Sequence, residues 1–261
     1  MLNEELEKKV DFLVNHIHDL IKKFNIWGYR KDADFYFYKL LMSERKHNPI
    51  ENLLNTEKFE SFIGLIYITL ISWNMNQRRA IIRPFNEFSS NIQSIKEHII
   101  DLSEFQLAGL SSAHDLKFIL DKLKRIYKKL DLMVSAAKLV SNAKTLHFLL
   151  PDLIMPMDRE NTLMYFYNNQ NESINKFLQI FKCSYEIVNR IELNKYLDHE
   201  WNQTILKIID NAIIYYIREK FYKEKLLSKY WKFIKTKGIS EKLMKEFINN
   251  VLKEDQKHFH Y

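Results

Sequence analysis

Lys144, His147 and Asp158 fall within one short stretch that two prolines, Pro151 and Pro156, punctuate. These residue types suit nucleophilic chemistry at an electrophilic carbon. A lysine amine attacks when burial beside an apolar wall keeps part of it neutral. A helix carrying Lys144 and His147 is expected to stop at Pro151, because the residue before a proline resists helical angles. The chain is then expected to run extended between the two prolines. That delivers Asp158 to the start of a new helix, whose backbone amides hold its carboxylate. Lys144 and Asp158 can meet across this short, stiff connection. A purely structural reading stands beside it: an exposed lysine, a packed or capping histidine, and an aspartate that only caps a helix.

A second group of residues is cationic. Residues 72–80 read Ser-Trp-Asn-Met-Asn-Gln-Arg-Arg-Ala, placing Arg78 and Arg79 just after a tryptophan at the end of an apolar run. The paired guanidinium groups are suited to phosphate or to an acidic neighbour; the alternative is a polar turn with Trp73 packed in the core. The net charge of the chain is +7, and residues 215–237 hold eight basic side chains against two acidic ones, a local +6. Arg218, Lys220, Lys223, Lys225, Lys229 and Lys232 belong to this stripe. Concentrated positive charge attracts phosphate backbones, so DNA or another nucleic acid is the expected partner; a solvated helix face is the alternative.

Other chemistries are excluded by what the chain lacks. There is no glycine-rich nucleotide loop of either common type and no HExxH pair. One Glu44-x-x-His47 stands without the second such pair that a di-iron bundle requires. The His-Asp dipeptides at His18 and His114 have no further ligands in a recognisable arrangement, and no Gly-x-Ser-x-Gly elbow occurs. Cys183 is the single cysteine, which excludes an intrachain disulfide and a cysteine-based zinc site. No cofactor and no metal are expected.

The segment 138–162, with its pattern AKxLHFLxPDxxxPxD, resembles the stretch of helix-hairpin-helix DNA glycosylases between the catalytic lysine and the catalytic aspartate. In that superfamily a lysine opens the helix after the hairpin and an extended segment delivers the aspartate to a helix start. The resemblance implies that Lys144 is the amine that forms a Schiff base with the sugar. It implies that Asp158 stabilises charge at the anomeric carbon or activates the amine. The hairpin would fall at residues 139–144, which hold no glycine, with Ser141 or Asn142 taking the turn and His147 close to the nucleic acid. Phe148, Tyr165, Phe166 and Tyr167 lie near the motif as stacking surfaces for an extruded base. The chain also resembles an uncharacterised prokaryotic helical family that pairs a WxMxRR-like segment with SKxLHxLLPxLxPxDRxxT. Trp73, Met75 and Arg78 match the first part, and Lys144, His147, Pro151, Asp158, Arg159 and Thr162 match the second. Two other readings are a non-enzymatic binding or assembly protein using the basic stripe and a helical bundle that binds a small molecule.

The elements that must position these residues are helices. Only four glycines and four prolines occur in 261 residues, too few for the turns of a sheet protein. The expectation is an all-α chain of roughly ten or more helices, forming a single domain over 1–261 with a possible lobe boundary near 101–112. Asn3 is expected to cap a helix to about residue 24, Asp32 or Asp34 to open one to about 45, and Thr56 to cap one reaching 73. Further helices are expected at 85–100, 103–109, 112–130 with Ser112 as cap, and 135–150. Beyond Asp158 the pattern predicts helices near 173–181, 184–192, 199–221, 228–235 and 240–252. The most apolar run, 62–73, is about half of the ~20 residues a membrane span needs. The polar start MLNEELEKKV is unlike a signal peptide. A soluble cytoplasmic protein is expected, and its lysine- and isoleucine-rich composition would suit a thermophile.

Overall fold

The computed structural model describes residues 2–27, 32–75, 80–136, 138–235, 240, 242, 243 and 246, with the backbone alone described over 222–235. The protein is all-α. Among the described residues, eleven α-helices run in the order α1 (Glu4–Trp27), α2 (Ala33–His47), α3 (Ile50–Asn55), α4 (Phe59–Ser72), α5 (Phe85–Ser94), α6 (Lys96–Leu102), α7 (Ala113–Lys129), α8 (Leu139–Leu149), α9 (Met164–Tyr167), α10 (Ile174–Arg190) and α11 (Ile205–Lys235). Among the described residues there is no strand, only an isolated antiparallel bridge between Ile82 and Met133. No described helix is long and apolar enough to cross a membrane.

Local signals set many of the helix ends. The Asn3 side chain accepts from the Leu6 amide at 2.9 Å and opens α1, and Ser112 accepts from the Asp115 amide to open α7. Both caps satisfy amides that a helix leaves without partners. Along α7, Ile119, Leu123, Ile126 and Tyr127 recur at helical spacing and are buried. The α1 stripe Leu6, Val10, Leu13, Ile17 and Leu20 is likewise buried, and α1 packs along α11 and α10.

Several expected boundaries are corrected. Thr56 is not the N-cap of α4, which begins at Phe59: it ends the short α3, its hydroxyl donating to Asn52 O at 2.7 Å and accepting from the Lys58 amide at 3.2 Å. The expected helix 85–100 is interrupted at Ile95, whose backbone leaves helical geometry (φ −108°, ψ 4°) between α5 and α6. No helix forms at 103–109. Ser103 Oγ donates to Ile100 O at 2.8 Å and ends α6, and Gly109 takes a left-handed φ of 87° that suits a residue without Cβ. The two helices expected in 173–192 are one. The hydroxyl of Ser184, where the second helix is expected to begin, donates to Ile180 O inside α10 at 3.0 Å. The helices expected at 199–221 and 228–235 also merge, into α11, which Thr204 opens by accepting from the Lys207 amide at 3.1 Å. The expected helix 240–252 lies outside the described residues apart from isolated positions.

The core is continuous from Leu6 to Ile217. Ahead of α11, buried Asn202 donates to Asn25 Oδ1 at 3.0 Å and Asp198 Oδ2 at 2.7 Å, and its own Oδ1 accepts from Asn211 at 2.9 Å. This polar network ties the start of α11 to α1.

Candidate functional site

Helix α8 begins at Leu139 and not near Ser135. The residues before it are held by tertiary contacts: Asp131 is bound by Arg83 Nη2 at 2.5 Å and by Lys138 Nζ at 2.9 Å. The first amide of α8 donates to Glu172 Oε2 at 2.7 Å, while Glu172 Oε1 binds Arg159 Nε at 2.5 Å. One carboxylate therefore caps α8 and fastens the residue next to Asp158. The connection from Leu150 to Met157 is buried apart from Asp152. Its Ile154 carbonyl accepts from His147 Nδ1 at 2.7 Å.

Asp158 does start the next helical segment, as its sequence position predicts. That segment opens as a π turn, Arg159–Leu163, and the Leu163 amide reaches Asp158 O at 3.0 Å. Asp158 Oδ1 accepts from the amides of Asn161 (2.5 Å) and Thr162 (3.3 Å), and Oδ2 accepts from Asn161 Nδ2 at 2.7 Å. In return Thr162 Oγ1 accepts from the Asp158 amide at 3.0 Å. The carboxylate is held at both oxygens. Isolated π turns are rare and recur at functional sites.

Lys144 and Asp158 line one cavity of about 750 Å³. Val140, Ser141 and Lys144 form the α8 side of it, Asp158 to Asn161 a second side, Trp73 to Met75 a third, and Lys207, Asp210, Ile214 and Arg218 of α11 a fourth. Asn74 turns the chain out of α4 with a left-handed φ of 63°, a conformation asparagine tolerates at a helix end. Lys144 Nζ donates to Trp73 O at 3.1 Å and sits 5.4 Å from the centre of the Trp73 ring. Burial pushes the Lys144 pKa down, while Asp158 and then Asp210 oppose that shift.

Sequence reasoning missed the other half of this site. Lys207 and Asp210 are joined at 2.6 Å with side chains only 4% and 6% exposed. The Lys207 ammonium also lies 5.4 Å from the Trp73 ring centre and 5.5 Å from that of Trp201, the cation–π geometry favoured in dry surroundings. Burial raises the Asp210 pKa, Lys207 opposes this, and nearby Asp158 adds to it. The amines of Lys144 and Lys207 thus share one enclosure with Asp158 and Asp210. The available signal was two charges inside the apolar run Ile-Leu-Lys-Ile-Ile-Asp-Asn-Ala-Ile-Ile. Charges are almost never fully buried unless paired. Asp34 lines the same cavity, its pKa raised by burial.

Several expected contacts are corrected. Residues 139–144 form no hairpin: they are helix, and the Asn142 amide is spent on Lys138 O at 2.9 Å. Without glycine the backbone amides close helical bonds and are not left to approach a phosphate. Ser141 donates to Lys138 O and faces the cavity, and Asn142 donates to the carbonyls of Tyr127 and Leu130 in the interior. His147 is completely enclosed. The lysine that opens the helix is Lys138, paired to Asp131, while Lys144 stands in mid-helix. Phe148, Tyr165 and Phe166 are core residues. Arg218 and Lys220 are exposed on α11, with Arg218 at the cavity wall, 5.3 Å from the Trp27 ring centre. Lys223, Lys225, Lys229 and Lys232 lie on the α11 backbone, their side chains outside the described residues, as are Arg78 and Arg79 altogether.

The partners of His147 assign its tautomer. The Ile154 carbonyl requires Nδ1–H, leaving Nε2 to accept from Tyr38 OH at 3.1 Å. Burial lowers its pKa to about 3. The unfolded chain takes up a proton near pH 6.5 that the folded one refuses, so stability falls as pH drops below 6.5. A loss of about 1.4 kcal/mol per pH unit is expected from this group. Denaturant unfolding between pH 6.5 and 5 measures it. In His147→Gln that part of the slope should vanish; an unchanged slope refutes the assignment.

Among the described residues, no group of three or more His, Cys, Asp or Glu side chains is placed to hold a metal ion. Compared with known proteins, the chain matches no family model, no curated protein and no solved structure.

Proposed function

We propose that this protein acts on DNA as a base-excising enzyme with Lys144 as the amine nucleophile and Asp158 as the carboxylate that steadies the sugar's positive charge. The observation that carries this reading is the convergence of the two on one cavity of about 750 Å³ walled by Trp73 and Trp201. An extruded nucleotide needs such a pocket, with aromatic faces to replace its lost stacking. Burial favours the neutral form of Lys144, the form that attacks.

In the step proposed, the Lys144 nitrogen bonds to the sugar's anomeric carbon as the carbon–nitrogen bond to the base breaks. The base leaves with the bonding electron pair and takes a proton from solvent. The amine sheds its proton to Asp158, which passes it to the ring oxygen as that oxygen leaves the anomeric carbon, and a protonated imine remains. The exposed cations Arg218 and Lys220 on α11 are placed to attract the phosphate backbone.

The test is borohydride reduction of the protein mixed with duplex DNA carrying an abasic site or an oxidised purine. Hydride converts the imine to a stable secondary amine, so a covalent adduct that survives denaturation is expected. Failure to form an adduct with either lesion overturns the proposal.

A further inference from the structure

The charge stripe on α11 is not the molecule's only basic face. Helix α7 carries Lys117, Lys122, Lys124, Arg125, Lys128 and Lys129 against Asp115 and Asp121, a net +4 over seventeen residues. Two of the six are occupied: Lys122 pairs with Asp101, and Lys129 donates to Ser94 O at 2.5 Å. Lys124, Arg125 and Lys128 are exposed, on the side of α7 turned away from buried Ile119, Leu123 and Ile126. Among the described residues these three have no ion pair or hydrogen bond; Asp121 is the sole acidic side chain in the last three turns.

An exposed apolar pair, Val134 and Ile81, lies a few residues beyond the end of α7 and across the bridge from it. The bridge between Ile82 and Met133 turns those side chains inward, 5% and 2% exposed. Alternation along extended chain then sends the opposing Ile81 and Val134 outward on one side. They are 50% and 60% exposed, and the Val134 amide donates to Ile81 O at 2.9 Å. Their chain neighbours Ala80, Met133 and Ser135 line the cavity. Val134 is six positions beyond Lys128, so the two lie within about 21 Å, less than one turn of B-DNA at ~34 Å. Exposed cations that contact phosphates and, within that reach, an exposed apolar pair that contacts bases match a nucleic-acid duplex. An acidic peptide offers no stacked bases for the apolar pair.

We infer that the exposed face of α7, with Ile81 and Val134, is a second DNA-binding surface that grips the duplex backbone beside the cavity. This rests on the base-excision reading for its choice of DNA. Neutralising three cations that each meet a phosphate should reduce the slope of log affinity against log salt by about 2 to 3.

The experiment measures binding of undamaged duplex DNA over a range of salt for the natural chain and for Lys124→Gln/Arg125→Gln/Lys128→Gln. All three substitutions are on the surface, and circular dichroism verifies the helix content. The expected result is the shallower slope, with affinity at least tenfold weaker at 0.1 M salt, and displacement by competitor DNA at lower charge concentration than by polyglutamate. An unchanged slope, or stronger displacement by polyglutamate, overturns the inference. Because undamaged DNA forms no imine, a shallower slope without any borohydride adduct upholds this surface and removes the excision chemistry. An adduct with an unchanged slope does the reverse.

Discussion

Replacing Lys144 by glutamine is expected to abolish the borohydride-trapped adduct with abasic DNA and to slow base release on the order of 10³-fold or more. The substitution removes the amine and little else. A glutamine amide still has N–H groups to offer the Trp73 carbonyl that Lys144 Nζ meets at 3.1 Å, so the fold should survive. Removing a charge that burial disfavours carries no penalty of its own. Circular dichroism and an unfolding curve close to the natural chain's would separate lost chemistry from lost structure. A variant that still forms the adduct would move the nucleophile elsewhere, with Lys207 the other amine in the cavity.

The same site predicts a pH signature. Burial lowers the Lys144 pKa below its ordinary 10.5, so the rate of adduct formation should rise with pH and level off before an exposed lysine would. Asp158 works against that shift. Asp158→Asn should therefore move the plateau to lower pH while also reducing its height. A plateau that stays in place would show that Asp158 does not act on this amine.

The second large effect concerns the buried pair on α11. Lys207→Met or Asp210→Leu alone is expected to cost about 3–5 kcal/mol, because each leaves one charge buried without its partner. For a chain of this size that is a fall of roughly 6–20 °C in Tm. Lys207 loses more than the 2.6 Å ion pair, since its contacts with Trp73 and Trp201 go with it. The double variant Lys207→Met/Asp210→Leu should recover most of the loss, because apolar side chains of similar volume fill the same space without a desolvation penalty. Thermal and denaturant unfolding of the three variants closes the cycle. Single-variant losses below about 1 kcal/mol would mean that water reaches the pair.

The legible parts of this protein are those decided within a few residues along the chain. Ser112 meets the Asp115 amide three positions on, and Asp158 meets those of Asn161 and Thr162. Such caps and the 3.6-residue stripe of α7 are properties of consecutive side chains, so composition and spacing suffice to read them. The scarcity of glycine that makes the all-α assignment plain also closes residues 139–144 into ordinary helix, removing the hairpin that the resemblance implied.

The order of residues alone was enough for the fold class, most helix interiors, and the arrival of an aspartate at a helix start beyond two prolines. Where α8 begins was settled in three dimensions, through Glu172, which lies 33 residues from the amide it caps. Packing likewise brought Trp73 against Lys207 and Lys144 to the same cavity as Asp158. The difference is one of range. A cap or a helical stripe is satisfied by neighbours in sequence, whereas a buried charge must find its partners wherever the folded chain brings them.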